Sequence, residues 1–204
     1  MDFISLLFYF LVIIPSAIIH EYAHGWMAYQ LGDPTAKYAG RLTIDPRAHI
    51  DKWGTIIMPI GLFLLTGGRF MFAYAKPVPF NPYNLKDQKW GPALVGVAGP
   101  LANFLLAACF GLLVRMFPAS LFAPFFAIIV MANITLMVFN LLPIPPLDGS
   151  KVLMSQLPFR LAREYQKLEQ YGFLLLILLV FVFSEPLFLI INLLVGFLSA
   201  ILGF

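Results

Sequence analysis

The sequence predicts an all-α polytopic membrane protein: a three-helix core, a re-entrant or β-hairpin segment and a C-terminal helical hairpin. Two observations carry this expectation. Hydrophobic residues make up 61% of the 204 residues and charged residues only 11%, roughly half the charge of an ordinary soluble domain. Several apolar stretches also approach the ~20 residues needed to cross the hydrocarbon core of a bilayer. They consume almost the whole chain and leave no room for a soluble accessory domain of about 100 residues. A single integral membrane domain is expected over residues 1–204, with its core at 3–149 and the hairpin at about 170–203.

The first span is expected at about residues 3–31. It contains Pro15, which membrane helices tolerate where neighbours satisfy the freed carbonyl. Gly32-Asp33-Pro34 is its stop signal, with glycine at the end and proline just beyond. Residues 33–54 are polar for this chain. Within them, 37–45 combines a glycine with β-formers and suggests a short strand or hairpin. Residues 55–65 are apolar but too short to cross, so they read as re-entrant or interfacial. Thr66-Gly67-Gly68 marks a turn, and 69–76 alternates as a strand does. Pro77, Pro79 and Pro82 force an extended, non-helical loop. Further spans are expected at about 92–116 and 125–142, then an amphiphilic stretch at 150–169. Residues 171–183 and 187–201 are apolar and separated by Ser184-Glu185-Pro186, as in a hairpin or one broken helix.

Charge and cysteine content exclude several classes. The net charge is +3, with basic residues spread over loops, which gives no nucleic-acid footprint. Cys109 is the single cysteine, so no internal disulfide forms, and a lone cysteine in an apolar run behaves as a small hydrophobe. The N-terminal stretch lacks the basic region and small-residue cleavage site of a signal peptide.

The chemistry is concentrated at His20-Glu21-Tyr22-Ala23-His24, at the end of a stretch with no charge from Phe3 to Ile19. Ionisable groups at membrane depth are costly and read as functional. H-E-x-x-H places two histidines at i and i+4 on one helix face to share a zinc ion, with the glutamate acting on its water. A catalytic zinc takes three protein ligands, so a third must come from elsewhere. His49, Asp148 and Glu185 are the candidates. Asp148 stands out because Pro143, Pro145 and Pro146 must end the helix just before it. Irregular backbone at membrane depth is tolerated where it lines a polar cavity.

Charge topology tests that choice. Let the first span run from outside to inside, and let residues 55–76 enter and return on one face. Asp148 then lies on the cytoplasmic side with the end of the first span, and every Lys and Arg except Arg115 is cytoplasmic, a strong positive-inside bias. A single crossing at 55–76 would put Asp148 on the far face. His24 lies about 10 Å from Leu31 along a helix, so the metal would sit near the cytoplasmic side. For the two histidines and Glu21, the competing reading is an interhelical polar cluster or an ion pathway. For Asn103 and Asn140 it is interhelical hydrogen bonding against a substrate role. His49 reads as a loop histidine, with substrate binding as the other reading.

Three motifs together resemble the site-2 protease family of intramembrane zinc metalloproteases: His20 to His24, Gly99-Pro100-Leu101-Ala102-Asn103, and Asn140-Leu141-Leu142-Pro143-Ile144-Pro145-Pro146-Leu147-Asp148-Gly149. Lys76 to Pro82 extends the resemblance to its small prokaryotic members. Relatives with an extra N-terminal span, a PDZ domain or CBS domains exist; this chain is expected to carry none. The resemblance implies one Zn²⁺ per chain held by His20, His24 and Asp148, with Glu21 as the catalytic carboxylate. It also implies Asn103 and Asn140 as polar groups that bind substrate or the oxyanion. The expected substrate is a transmembrane protein cut in or near its membrane segment. The expected setting is a prokaryotic inner or plasma membrane, with the active site toward the cytoplasm and the lipid bilayer, not nucleic acid, as surroundings. An extended substrate could add as a strand to an edge in 37–47 or 69–76. The alternative is a non-proteolytic membrane protein that binds metal or transmembrane helices. Within enzymes, the alternative is an H-E-x-x-H peptidase using Glu164, Glu169 or Glu185 as third ligand.

Overall fold

The computed structural model describes residues 3–57, 60, 61, 64, 75–182 and 184–202. Among them the chain is helical and has no strand. The elements are α1 (Phe3–Gln30), α2 (Thr35–Tyr38), α3 (Pro46–His49), a π-helical turn (Lys52–Ile57), a 3₁₀ turn (Pro82–Asn84), α4 (Gly91–Met116), α5 (Ala123–Asn140), α6 (Asp148–Gln156), α7 (Phe159–Lys167), a second 3₁₀ turn (Leu168–Tyr171), α8 (Gly172–Val182) and α9 (Ser184–Leu202).

Helix α1 stops where its sequence says it should. Gly32 has φ +107°, a conformation glycine adopts without steric cost. Its amide bonds the Tyr29 carbonyl at 3.2 Å, and the Asp33 amide bonds the Ala28 carbonyl at 2.9 Å. This pair is the Schellman pattern that satisfies the last carbonyls of a helix. Asp33 then fixes the chain beyond. It is fully buried. It accepts bonds from the Thr35 amide and hydroxyl, the Asn84 side chain and the Asn81 amide. The end of α1 is thereby fastened to the loop that leads into α4.

The strand expected at 37–45 is not formed. Residues 35–38 close a helical turn, Gly40 turns back at φ +65°, and Asp45 caps α3 by accepting from the Arg47 amide at 3.0 Å. Proline at the first position of α3 suits a helix start. A glycine in the left-handed region and an Asp-Pro cap inside nine residues leave no run long enough to pair. No strand edge exists there for substrate addition. The strand expected at 69–76 falls, except for residues 75 and 76, outside the described residues, as does most of 58–65.

Helices α1, α4 and α5 pack pairwise against one another, α6 packs on α4, and α9 packs on α5. The inward stripe of α4 is small: Gly96, Gly99, Asn103, Ala107 and Gly111 are all buried, which lets neighbouring backbones approach closely. Its outward stripe is Leu94, Leu101, Leu105 and Leu112, each 47–60% exposed. A row of exposed leucines suits an apolar solvent rather than water. Both α4 and α5 are long and apolar enough to cross a membrane. Ala107, Val130, Ile134, Met137 and Val138 form one buried cluster with Leu187, Ile191 and Val195 of α9.

Candidate metal centre

His20 and His24 lie on successive turns of α1, their rings edge to face with centroids 4.6 Å apart. The Pro143–Pro146 bend returns the chain so that α6 begins at Asp148, beside α4. Asp148 is therefore the first residue of a helix, not a member of the preceding turn. The Nε2 atoms of His20 and His24 each lie 3.0 Å from Asp148 Oδ2 and 3.0 Å from each other. All three residues are buried.

The surrounding bonds determine which histidine nitrogens carry protons. His24 Nδ1 lies 2.6 Å from the Val95 carbonyl. A carbonyl only accepts, so Nδ1 carries a proton, and in the neutral ring Nε2 presents a lone pair. His20 is oriented through two asparagines. The Asn133 amide nitrogen donates to the Ile129 carbonyl at 2.9 Å and the Ser16 hydroxyl at 3.0 Å, which points its oxygen at Asn103. The Asn103 amide nitrogen donates to that oxygen at 2.9 Å, so the Asn103 oxygen faces His20 Nδ1 at 2.6 Å. His20 is thus also protonated on Nδ1, and its neutral ring has the lone pair on Nε2. Both asparagines are fully buried.

With both imidazoles neutral, the form in which histidine binds a metal, three electron-pair donors converge with no proton between them. Such a set repels itself unless a cation sits at its focus. Ligands about 2.0–2.2 Å from a tetrahedral zinc lie roughly 3.3 Å apart, close to the 3.0 Å separations here. His20, His24 and Asp148 are the group among the described residues able to share an ion. The outer contacts match those of metal ligands, whose far atoms are usually held by other groups: Asn103 holds His20, the Val95 carbonyl holds His24, and Lys151 Nζ donates to Asp148 Oδ1 at 2.8 Å. Gly99 closes the cradle from α4. A Cβ there would lie 2.5 Å from both Nε2 atoms. Gly96 admits α6, because a Cβ on it would meet the Asp148 carbonyl at 3.0 Å.

Glu21 lies on α1 beside this cluster in sequence, and its Oε2 accepts from the Val78 amide at 2.8 Å. Asn140 ends α5, and its amide donates to the Leu136 carbonyl of the same helix. His49 is buried beneath the loop, with Nε2 bonded to the Thr43 carbonyl at 2.7 Å. Sequence reasoning overlooked Asn133, although an amide amid the apolar residues 125–139 was a signal of interhelical bonding. It also overlooked the Val78–Glu21 contact, which no residue type announces because the donor is backbone.

Residues 8–121 and 117–183 match the model of peptidase family M50. The chain is 37% identical over 187 residues to YwhC of Bacillus subtilis (strain 168), covering 86% of this chain and 81% of that protein. It is 31% identical over 172 residues to Rip2 of Mycolicibacterium smegmatis, covering 81% and 63%. To Rip2 of Mycobacterium tuberculosis (strain H37Rv) it is 29% identical over 171 residues, covering 80% and 62%. The names of all three assign them provisionally as zinc metalloproteases. The chain spans a little under two thirds of the length of the Rip2 proteins. No solved structure matches it. With the family match running through most of the sequence, the chain belongs to peptidase family M50, the site-2 protease family whose motifs it carries.

Proposed function

We propose that this chain is a zinc metalloprotease that hydrolyses peptide bonds in or near the transmembrane segments of membrane-protein substrates. The observation that carries the reading is the convergence of three ligand atoms, His20 Nε2, His24 Nε2 and Asp148 Oδ2, with a carboxylate, Glu21, next to the first of them in sequence. Its architecture in the membrane is read as α1, α4 and α5 crossing, with α8 and α9 as a C-terminal hairpin. The Lys and Arg distribution supports a site facing the cytoplasm.

Zinc held by these three side chains would supply Lewis acidity to a water molecule and to the scissile carbonyl. Glu21 takes the proton from the attacking water and returns it to the leaving amine, as base and then acid. Asn103 serves this chemistry from behind. It is fully buried and bonded to His20, so its task in this reading is to hold the ring and its tautomer rather than to meet the oxyanion. Asn140 bonds the Leu136 carbonyl of its own helix through its amide nitrogen and serves as a substrate-binding group in this reading. The buried polar chain from Ile129 through Asn133 and Asn103 to His20 keeps the ligand lone pair aimed before any substrate arrives.

The test is cleavage of a transmembrane substrate by purified, reconstituted protein beside Glu21→Gln. Loss of cleavage with zinc still bound is expected. Retained proteolysis in Glu21→Gln would refute the role given to this carboxylate.

A further inference from the structure

The segment Lys76-Pro77-Val78-Pro79 has no part in metal binding, yet it is fastened near the site at several points. We propose that it is a positioning strap, and that the backbone amide of Val78 aims the Glu21 carboxylate. This rests on the reading of Glu21 as the proton-transfer group.

The composition of the strap supports the assignment. Pro77 and Pro79 have no N–H, so Val78 carries the single amide donor among residues 77–79. That donor meets Glu21 Oε2 at 2.8 Å. A hydrogen bond to a carboxylate is charge-assisted and among the stronger kinds. The prolines also restrict the segment to extended conformations, so little entropy is lost in holding it there. With Oε2 engaged, proton transfer falls to Oε1.

The strap is secured along its length. The Lys76 amide donates to the His49 carbonyl at 2.9 Å. The Arg41 guanidinium donates to the Lys76 carbonyl at 2.5 Å and the Pro77 carbonyl at 3.4 Å. Arg41 and His49 are both buried, and neither forms an ion pair with an acid among the described residues. A buried guanidinium spent on two backbone carbonyls is an expensive arrangement, which fits a segment whose position matters. Beyond the strap, the Asn81 amide bonds Asp33 Oδ2 at 2.6 Å. Close approach to α1 depends on Gly25, one residue past His24. A Cβ at Gly25 would stand 2.9 Å from Val78 Cγ1.

Two measurements on the full chain test this. Amide hydrogen exchange at Val78 should accelerate about tenfold or more in Glu21→Ala, while exchange at Lys76, bonded to His49, should not change. Val78→Pro deletes the donor, and Val78→Ala keeps it while trimming the packing on Gly25. The kcat of Val78→Pro should fall about tenfold below that of Val78→Ala, with KM and zinc content equal in the two. Equal kcat in the two variants overturns the inference, as does Val78 exchange that ignores Glu21→Ala. Should Val78→Pro fail to fold, the exchange experiment decides alone. Activity in Glu21→Gln would instead defeat the proton-transfer reading, leaving the exchange result intact.

Discussion

Substituting Gly99 by alanine places one methyl group in the metal cradle. Its carbon would lie 2.5 Å from the Nε2 atoms of both His20 and His24. Ordinary contacts between such atoms begin near 3.5 Å, so the rings and α4 must separate by about 1 Å. Metal sites hold ligand distances to within about 0.2 Å. The required shift is roughly five times that tolerance, and it falls on two ligands at once. Losing a single outer partner of a metal ligand already costs about 10–100-fold in affinity. Zinc affinity in Gly99→Ala should therefore drop by at least ~100-fold, measured by competition with a chromogenic chelator. The overpacking itself costs about 1–3 kcal/mol, less than the typical 5–15 kcal/mol of a folded domain, so a folded protein remains to be tested. Gly196 in α9 has nothing within 4 Å of an added Cβ, and Gly196→Ala serves as the control that leaves zinc binding unaltered. Zinc affinity in Gly99→Ala within twofold of wild type would show that α4 does not close the cradle as described.

Two further changes probe the supports of the site. Asn133→Leu removes the group that orients Asn103 and, through it, the His20 tautomer. It should cost about 1–3 kcal/mol in chemical unfolding and about tenfold or more in zinc affinity, although Asn133 touches no ligand. Asp33 supplies a pH dependence. Burial works against its charge, but bonds from Thr35, Asn84 and Asn81 outweigh this and hold its pKa below the ordinary 3.8. A carboxylate depressed on folding stabilises the protein above its unfolded value and loses that contribution as pH falls through its folded value. Wild type should therefore exceed Asp33→Ala in Tm at neutral pH, and the gap should narrow as the pH drops below about 4. A gap that stays constant into acid would remove Asp33 from the list of fold-holding charges.

Much of the site could be read from residue spacing, because its parts obey local rules. The i, i+4 histidines share a helix face whatever the fold, and Gly32-Asp33-Pro34 stops α1 through backbone geometry alone. Asp148 was legible because three prolines end the helix ahead of it, although they deliver it as the first residue of α6 rather than on an irregular turn. The failures have two physical origins. Residues 37–45 carry β-formers, but Gly40 and the Asp45-Pro46 cap override propensity with turn chemistry. Asn133 and Val78 act through partners 30 and 57 residues away, separations that no local pattern encodes. Asn103 was found by its motif, yet its contact with the back of His20 appears only once α1 and α4 are packed together.

In the proposed site, one zinc ion is shared by α1 and the start of α6. Metal analysis of the purified full chain beside Asp148→Ala tests it most directly. Close to one zinc per wild-type chain, and less than about a tenth of that in a folded Asp148→Ala after dialysis against a weak chelator, is the expected result. Full zinc occupancy in Asp148→Ala, or wild-type protein that takes up none, would contradict it.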